Sequence, residues 1–452
     1  MVCSFCRSAN LLRLVFVVSI GILLFNTYRL YKGTYFWLDD FNNLYWVQQT
    51  SFPRMLGSVI NPVSGYFRPT GMMCYWILWR FFDLNPAAYH GFAWCLHAAN
   101  TVLVYILLKR FTGSRPGAAI GAMLFASQAV FADIYWDFGT IFELLAAFFS
   151  LLGIMLWTEQ SRGWLRVIFA SLALLLAMKA KEMALAMPII WLTYDLLVRQ
   201  NMNRRMATHW LLPGGLALLY AVTRAGMKGA VPAHPYYMDI SVHTLLSSFG
   251  IYFNMLLGTN LRWQIWCVGL ALPMLVSVLL RNRLALFFQL YVLIAFLPVI
   301  FLINHRFAFY WYLPFFGVCG FAAILANSIA VRVETRNPRW LVGCGASVVF
   351  VLLCWATFLL HKDATRQKRS WARDQTNQYR AFVIGLRALP PPPRGETIFF
   401  DSHPSLFDED LLRTATQVAL GRTDIEAKLV TKFPAGAQYR VQFQESRLIR
   451  LP

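Results

Sequence analysis

Long apolar runs separated by short polar loops occupy the chain from residue 11 to about residue 361. Many approach or exceed the ~20 apolar residues that carry a helix across a bilayer. The ~10-residue alternation of a transmembrane β-strand is absent. Read by their flanks, the runs predict spans at 11–31, 88–109, 116–131, 141–158, 164–179, 183–198, 210–225, 265–280, 284–303, 309–330 and 340–361. Residues 69–82 and 244–262 suit helices lying along the surface instead. The intervening loops carry Lys109, Arg110 and Arg115, then Arg199, Arg204 and Arg205, then Arg281 and Arg283 on one side, as the positive-inside pattern requires. Eleven crossings in that orientation leave the C-terminus outside.

Beyond residue 361 the pattern changes. A polar stretch runs to Arg380, and Pro390–Pro393 forms a stiff polyproline spacer. Residues 397–400 and 438–443 read as short strands, and 405–420 as an amphipathic helix. The expected fold is an all-α polytopic membrane domain over residues 1–361, with an external loop at 32–87. A small extracytoplasmic α/β region over 362–452 rests on it.

Composition agrees with this class. Of 452 residues 58% are hydrophobic and only 14% charged, and the mean hydropathy of +0.51 excludes a water-soluble globule. The formal charge of +20 would suit nucleic acid. Its placement in loops beside apolar spans points to topology and anionic headgroups, so no nucleic-acid partner is expected. Cys74, Cys95, Cys267, Cys319, Cys344 and Cys354 lie in apolar segments and read as small hydrophobes. Cys3 and Cys6 have CxxC spacing, weak evidence for metal or redox work when alone. The first span lacks a small-residue cleavage site and reads as a retained signal-anchor.

In this acid-poor chain, Asp39 and Asp40 follow the aromatic stretch Tyr35-Phe36-Trp37-Leu38, where the first external loop meets the headgroups. Carboxylates are costly there. The other charges assigned to the outer face form a few groups: Asp133, Asp137 and Glu143; Lys179, Lys181 and Glu182; Arg224 and Lys228; His305 and Arg306. Carboxylates beside cations suit transfer of a group carried on a lipid phosphate. A carboxylate deprotonates an acceptor hydroxyl, and Arg or Lys stabilises the departing phosphate.

Five pieces then resemble the GT-C superfamily of polytopic glycosyltransferases, in its protein O-mannosyltransferase-like branch. They are Leu38-Asp39-Asp40; Tyr66-Phe67-Arg68-Pro69-Thr70 with Leu84-Asn85-Pro86 and Tyr89-His90; and Leu124 to Leu145, holding Asp133 and Glu143. The last two are Lys181-Glu182 with Tyr194-Asp195-Leu196-Leu197, and Arg306 with Tyr312-Leu313-Pro314. The resemblance implies Asp39 as catalytic base with Asp40 its close competitor, and a sugar donor on polyprenyl or dolichyl phosphate. It places Lys181, Glu182 and Arg306 near the donor phosphate. Asp133, with Asp137, falls at an acceptor or cation site. Two features depart from the family. Ser127-Gln128-Ala129-Val130-Phe131 stands where relatives carry a His-Pro and a second His, and there is no tetratricopeptide array.

Trp37 and Trp136, close to the carboxylates, are candidates to stack on a sugar. If a divalent ion such as Mg²⁺ or Mn²⁺ takes part, Asp40 and Asp133 are its expected oxygen ligands. Simpler roles compete: Asp39 and Asp40 as helix caps, Lys179 and Lys181 snorkelling, Arg306 as a headgroup anchor. His90, His97 and Asp195 read as structural. The expected activity is sugar transfer from a polyprenyl-phosphate donor to an acceptor hydroxyl on a protein or glycan, at the extracytoplasmic face of a bacterial inner membrane with the C-terminus in the periplasm. A transporter or lipid flippase, or a structural membrane subunit, is the alternative. Charges grouped at one face and the lack of duplicated halves weigh against transport.

Overall fold

The computed structural model describes residues 33–64, 67–159, 163–200, 204–224, 231–334, 370–404, 406–444 and 447–451, with a few residues among 17–28 and residue 359. The expected spans at 11–31 and 340–361, Cys3, Cys6, Tyr66 and Lys228 lie wholly or mostly outside the described residues.

Three short helices fill the segment read from the sequence as an external loop: α1 (Leu38–Gln48), α2 (Phe52–Ile60) and α3 (Pro69–Phe82). The last matches the surface helix read from the sequence. Next comes α4 (Pro86–Thr112), whose ends are written locally. The Asn85 side chain accepts the Ala87 N–H at 3.2 Å and Pro86 fits the first turn. Gly113, at φ 66°, closes the helix in the left-handed conformation. Then follow α5 (Arg115–Ser127), α6 (Ile141–Trp157) and α7 (Trp164–Ala180). Further on lie α8 (Met187–Tyr194), α9 (Arg204–His209), α10 (Leu211–Arg224), α11 (Val242–Leu257), α12 (Trp263–Leu279), α13 (Arg283–Phe296) and α14 (Phe315–Glu334).

Several expected spans break at recognisable points. The run 183–198 divides into a 3₁₀ turn, α8 and a π-turn at Asp195–Arg199. The run 284–303 ends as a helix at Phe296, two residues before Pro298, which has no N–H to continue the helical hydrogen bonds. Pro314 likewise delays α14 to Phe315.

Among the described residues, Pro86–Thr112 and Phe138–Trp157 are long and apolar enough to cross a bilayer. Other helices expose their apolar faces. On α7, Leu165, Ile168, Phe169 and Leu172 point outward, and on α12 so do Ile265, Val268, Leu272, Leu275 and Leu279. Exposed apolar stripes at helical spacing invert the pattern of a soluble helix and fit lipid contact. This is a membrane protein. Inside, α5 packs on α14 through Gly117 and Gly121. A Cβ on Gly117 would lie 2.5 Å from the Ala323 carbonyl oxygen, and one on Gly121 2.9 Å from that of Cys319. Small residues four apart admit such close backbone approach in membranes. Several buried polar side chains pair with one another or with backbone carbonyls, which lowers the cost of a low-dielectric interior. His97 contacts the Tyr312 hydroxyl at 2.8 Å and the Ala126 carbonyl at 3.2 Å, and His90 contacts Thr34 at 3.1 Å. Asp195 accepts the Trp157 indole N–H at 3.2 Å. All three act structurally.

The C-terminal region holds a helix over residues 370–388, here α15, absent from the sequence reading. After the prolines come β1 (Thr397–Phe400), α16 (Glu409–Leu420), β2 (Glu426–Leu429), β3 (Arg440–Gln444) and β4 (Arg447–Leu451). The sheet order is β2-β1-β3-β4, with β1 parallel to both neighbours and β4 antiparallel to β3. This unit docks on α1. Phe41 meets Phe407 and Tyr379 edge-on at 5.9 and 6.3 Å. Thr414 donates to Asn42 at 3.1 Å, and Gln48 to the Val418 carbonyl at 3.3 Å.

Candidate active site

Asp39 and Asp40 open α1, and the helix sends them in opposite directions. Asp40 is fully buried. Its Oδ2 accepts the Trp37 backbone N–H at 2.7 Å, and its Oδ1 accepts the Tyr75 hydroxyl from α3. Burial pushes the Asp40 carboxyl up to about 7; the Tyr75 and Trp37 hydrogen bonds oppose the rise, and the charge of Asp39 adds to it. Asp39 is exposed and accepts no hydrogen bond among the described residues. The capping role therefore falls to Asp40 and leaves Asp39 available to a substrate.

The turn between α5 and α6 brings the second acidic group to the same place. Two 3₁₀ turns, Ala129–Tyr135 and Phe138–Thr140, replace continuous helix there. Asp137 caps the second by accepting the Gly139 N–H at 2.8 Å. Its carboxyl is pushed well up by burial first, then by the charges of Asp40 and Asp39. Asp133, half-buried, acts on it from the same turn. Trp37 and Trp136 meet edge-to-face at 5.1 Å beside these carboxylates.

The expected cation pair does not suit these positions. Both Asp40 oxygens already accept hydrogen bonds, and among the described residues no three His, Cys, Asp or Glu side chains gather.

The cations occupy the adjoining ground. Lys181, just past α7, pairs with Glu143 on the first turn of α6 at 2.6 Å. Its ammonium also lies 5.3 Å from the Tyr310 ring centre. Arg68 donates side-on to Glu182 through Nε and Nη2 at 3.1 and 3.0 Å. Glu182 thus holds Arg68 in place, which is compatible with a phosphate nearby although the carboxylate itself would repel one. Arg306 donates from Nη2 to the Ser248 hydroxyl at 2.9 Å. Its Nε, and the Tyr252 hydroxyl beside it, are buried without a hydrogen-bond partner among the described residues. His305 is pushed down to about 4, by burial first and then by the charges of Lys181 and Arg68.

Carboxylates and cations flank one aromatic ring. Phe142 lies 6.0 Å from Tyr75, the partner of Asp40, and 5.6 Å from the Arg68 guanidinium. The opposite end of α4 and α6 is closed by the Arg110–Glu159 pair at 3.2 Å. Lys179 does not snorkel: its ammonium donates to the Ser58 and Asn61 carbonyls at 2.8 and 2.6 Å. Three participants have no role in the sequence reading, Arg68, Tyr75 and Trp371, and Glu143 was read only as one of the outer-face carboxylates. Arg68 and Glu143 sit in quoted motifs, whereas Tyr75 and Trp371 reach the site only through folding.

No protein-family model matches the sequence, and no curated protein aligns with it. Its structure does have relatives. ArnT from Cupriavidus metallidurans in the apo state superposes with a TM-score of 0.55 at 12% identity, covering 92% of this chain and 85% of that one. The same enzyme bound to undecaprenyl phosphate gives 0.52 at 11% identity, covering 91% and 84%. At this identity the likeness is one of fold: this chain shares the fold of ArnT.

Proposed function

We propose that this protein is a multi-pass glycosyltransferase that moves a sugar from a polyprenyl-phosphate donor to an acceptor hydroxyl on the extracytoplasmic face of a bacterial inner membrane. The observation carrying the proposal is the unpartnered Arg306 Nε and Tyr252 hydroxyl, on the same side of the helices as the Asp39–Asp137 carboxylates. Buried donors without acceptors are costly, and an incoming phosphate would relieve them. The related ArnT fold, solved with undecaprenyl phosphate, supports the lipid class.

In this reading Arg306 and Tyr252 hold the donor phosphate, with Lys181 and Arg68 steadying charge around it. Asp39 takes the proton of the acceptor hydroxyl. The acceptor oxygen attacks the anomeric carbon, the bond from that carbon to the phosphate oxygen breaks, and polyprenyl phosphate departs with the electron pair. A single displacement inverts the anomeric centre. Asp40, Tyr75 and Asp137 position Asp39 and set the local charge.

The test is turnover of a panel of undecaprenyl-phosphate sugars by purified protein in lipid. Asp39→Asn should lose turnover and keep donor binding. Arg306→Ala should weaken donor binding by about tenfold or more, the loss of a charge-assisted hydrogen bond. Unchanged turnover in Asp39→Asn would overturn the assignment.

A further inference from the structure

The C-terminal helix α15 delivers one residue to the acidic site. Trp371, at its start, meets Trp37 at 5.2 Å and 61° and Trp136 at 5.9 Å and 88°. Trp37 and Trp136 are themselves 5.1 Å apart at 87°. Three indoles from three separate parts of the chain thus meet mutually edge-to-face. Their neighbours in sequence are Asp39 and Asp40 on one side and Asp133 and Asp137 on the other.

Packing alone does not account for this cluster. Trp371 keeps 46% of its surface exposed, a large aromatic area left uncovered beside the other two indoles. Trp136 is only 8% exposed, and its indole N–H has no hydrogen-bond partner among the described residues. Buried indole N–H groups normally find an acceptor. The cluster combines an open aromatic face with an unused buried donor, and Asp39, Asp40, Asp133 and Asp137 are its neighbours in sequence. A pyranose matches all three features: one face of C–H groups for the indole π-surface, ring and hydroxyl oxygens to accept the N–H, and hydroxyl hydrogens to donate to carboxylates.

We infer that Trp371 completes, with Trp37 and Trp136, a binding platform for a pyranose ring, so that the C-terminal region forms one wall of the active site. This deepens the proposed transferase reading and rests on it for the chemistry. The docking of α15 is also anchored beyond the three indoles, although Tyr379 touches Trp37 at 5.7 Å as well. Arg387, more than four turns further along the helix, forms two hydrogen bonds to Asp83 at 2.7 and 3.0 Å, and Tyr379 stacks on Phe407 at 4.9 Å. Those contacts hold Trp371 at the site whether or not a ligand is bound.

The experiment uses the full chain in lipid nanodiscs with fluorotryptophan incorporated, read by fluorine NMR. The Trp371 signal is assigned by Trp371→Phe, and the probes are methyl pyranosides of differing configuration, with sorbitol as an acyclic control. The signals of Trp37, Trp136 and Trp371 should shift together and saturably with at least one pyranoside and not with sorbitol. Trp371→Leu should weaken that binding about tenfold while Trp371→Phe retains most of it, the range expected for one aromatic stacking face. Absence of saturable shifts with every pyranoside, or unchanged affinity in Trp371→Leu, overturns the platform. Donor turnover is scored separately. Pyranoside shifts without turnover of any donor would remove the transferase reading and keep the platform; turnover without shifts would do the reverse.

Discussion

Arg68 and Glu182 stand 114 residues apart in sequence and meet side-on, Nε and Nη2 against one carboxylate. Arg68 does so from φ 44°, a left-handed conformation that L-residues adopt at a cost. The ion pair and the following Pro69 hold it there. The guanidinium is 9% exposed and the carboxylate 32%, so the pair is only partly screened. Glu182→Ala should therefore destabilise the detergent-solubilised protein by about 2 kcal/mol, less than a fully buried pair would show. Thermal unfolding in micelles measures it.

The Lys181–Glu143 pair is more deeply enclosed, at 6% and 4% exposure. Glu143→Gln should cost about 3–5 kcal/mol because it strands a buried ammonium. Glu143→Gln with Lys181→Met should recover much of that loss. A double-mutant cycle by thermal unfolding reads the coupling, and simple additivity of the two changes would contradict the pairing.

Asp40 links folding to pH. A carboxyl whose pKa is raised by folding holds its proton more tightly in the folded state. That stabilisation is present below the ordinary carboxylate range and fades as pH climbs to about 7. Asp137, shifted in the same direction, adds to the slope. Unfolding temperature should fall between about pH 4 and pH 7 in the native protein, and Asp40→Asn should flatten that slope. Tyr75→Phe removes a donor to the same carboxyl and should cost about 1–3 kcal/mol above pH 7.

Docking of the C-terminal region rests on its aromatic contacts more than on its ion pair. Arg387 and Asp83 are 40% and 58% exposed, so Arg387→Ala should change stability by only about 0–1 kcal/mol. Phe407 is buried against Phe41, Tyr379 and Phe382, and Phe407→Ala should cost about 3–5 kcal/mol. Limited proteolysis should release the C-terminal region from Phe407→Ala far faster than from Arg387→Ala.

Local rules made much of this architecture readable in the chain. Asn85-Pro86 and Gly113 bound α4, Pro69 opens α3, and the alternation near 397–400 and 440–444 marks strands, because caps, prolines and two-residue periodicity act over a few residues. The acidic doublet was conspicuous for a similar reason: charge is rare in such a composition. Breaks inside apolar runs, as at 183–198, were hidden because hydropathy persists through a turn that neighbouring helices satisfy.

What only tertiary structure decided is which charge meets which. Asp40 differs from Asp39 by a local cap on the Trp37 N–H and by burial against Tyr75, which together make it a fixed hydrogen-bond acceptor and leave Asp39 open to solvent. Sequence proximity likewise could not pair Arg68 with Glu182, or bring Trp371 to Trp37 across the length of the chain. A membrane helix is specified by its own composition, because lipid demands an apolar surface wherever the segment lies. A site is specified by distances between segments, and those exist only once the helices pack.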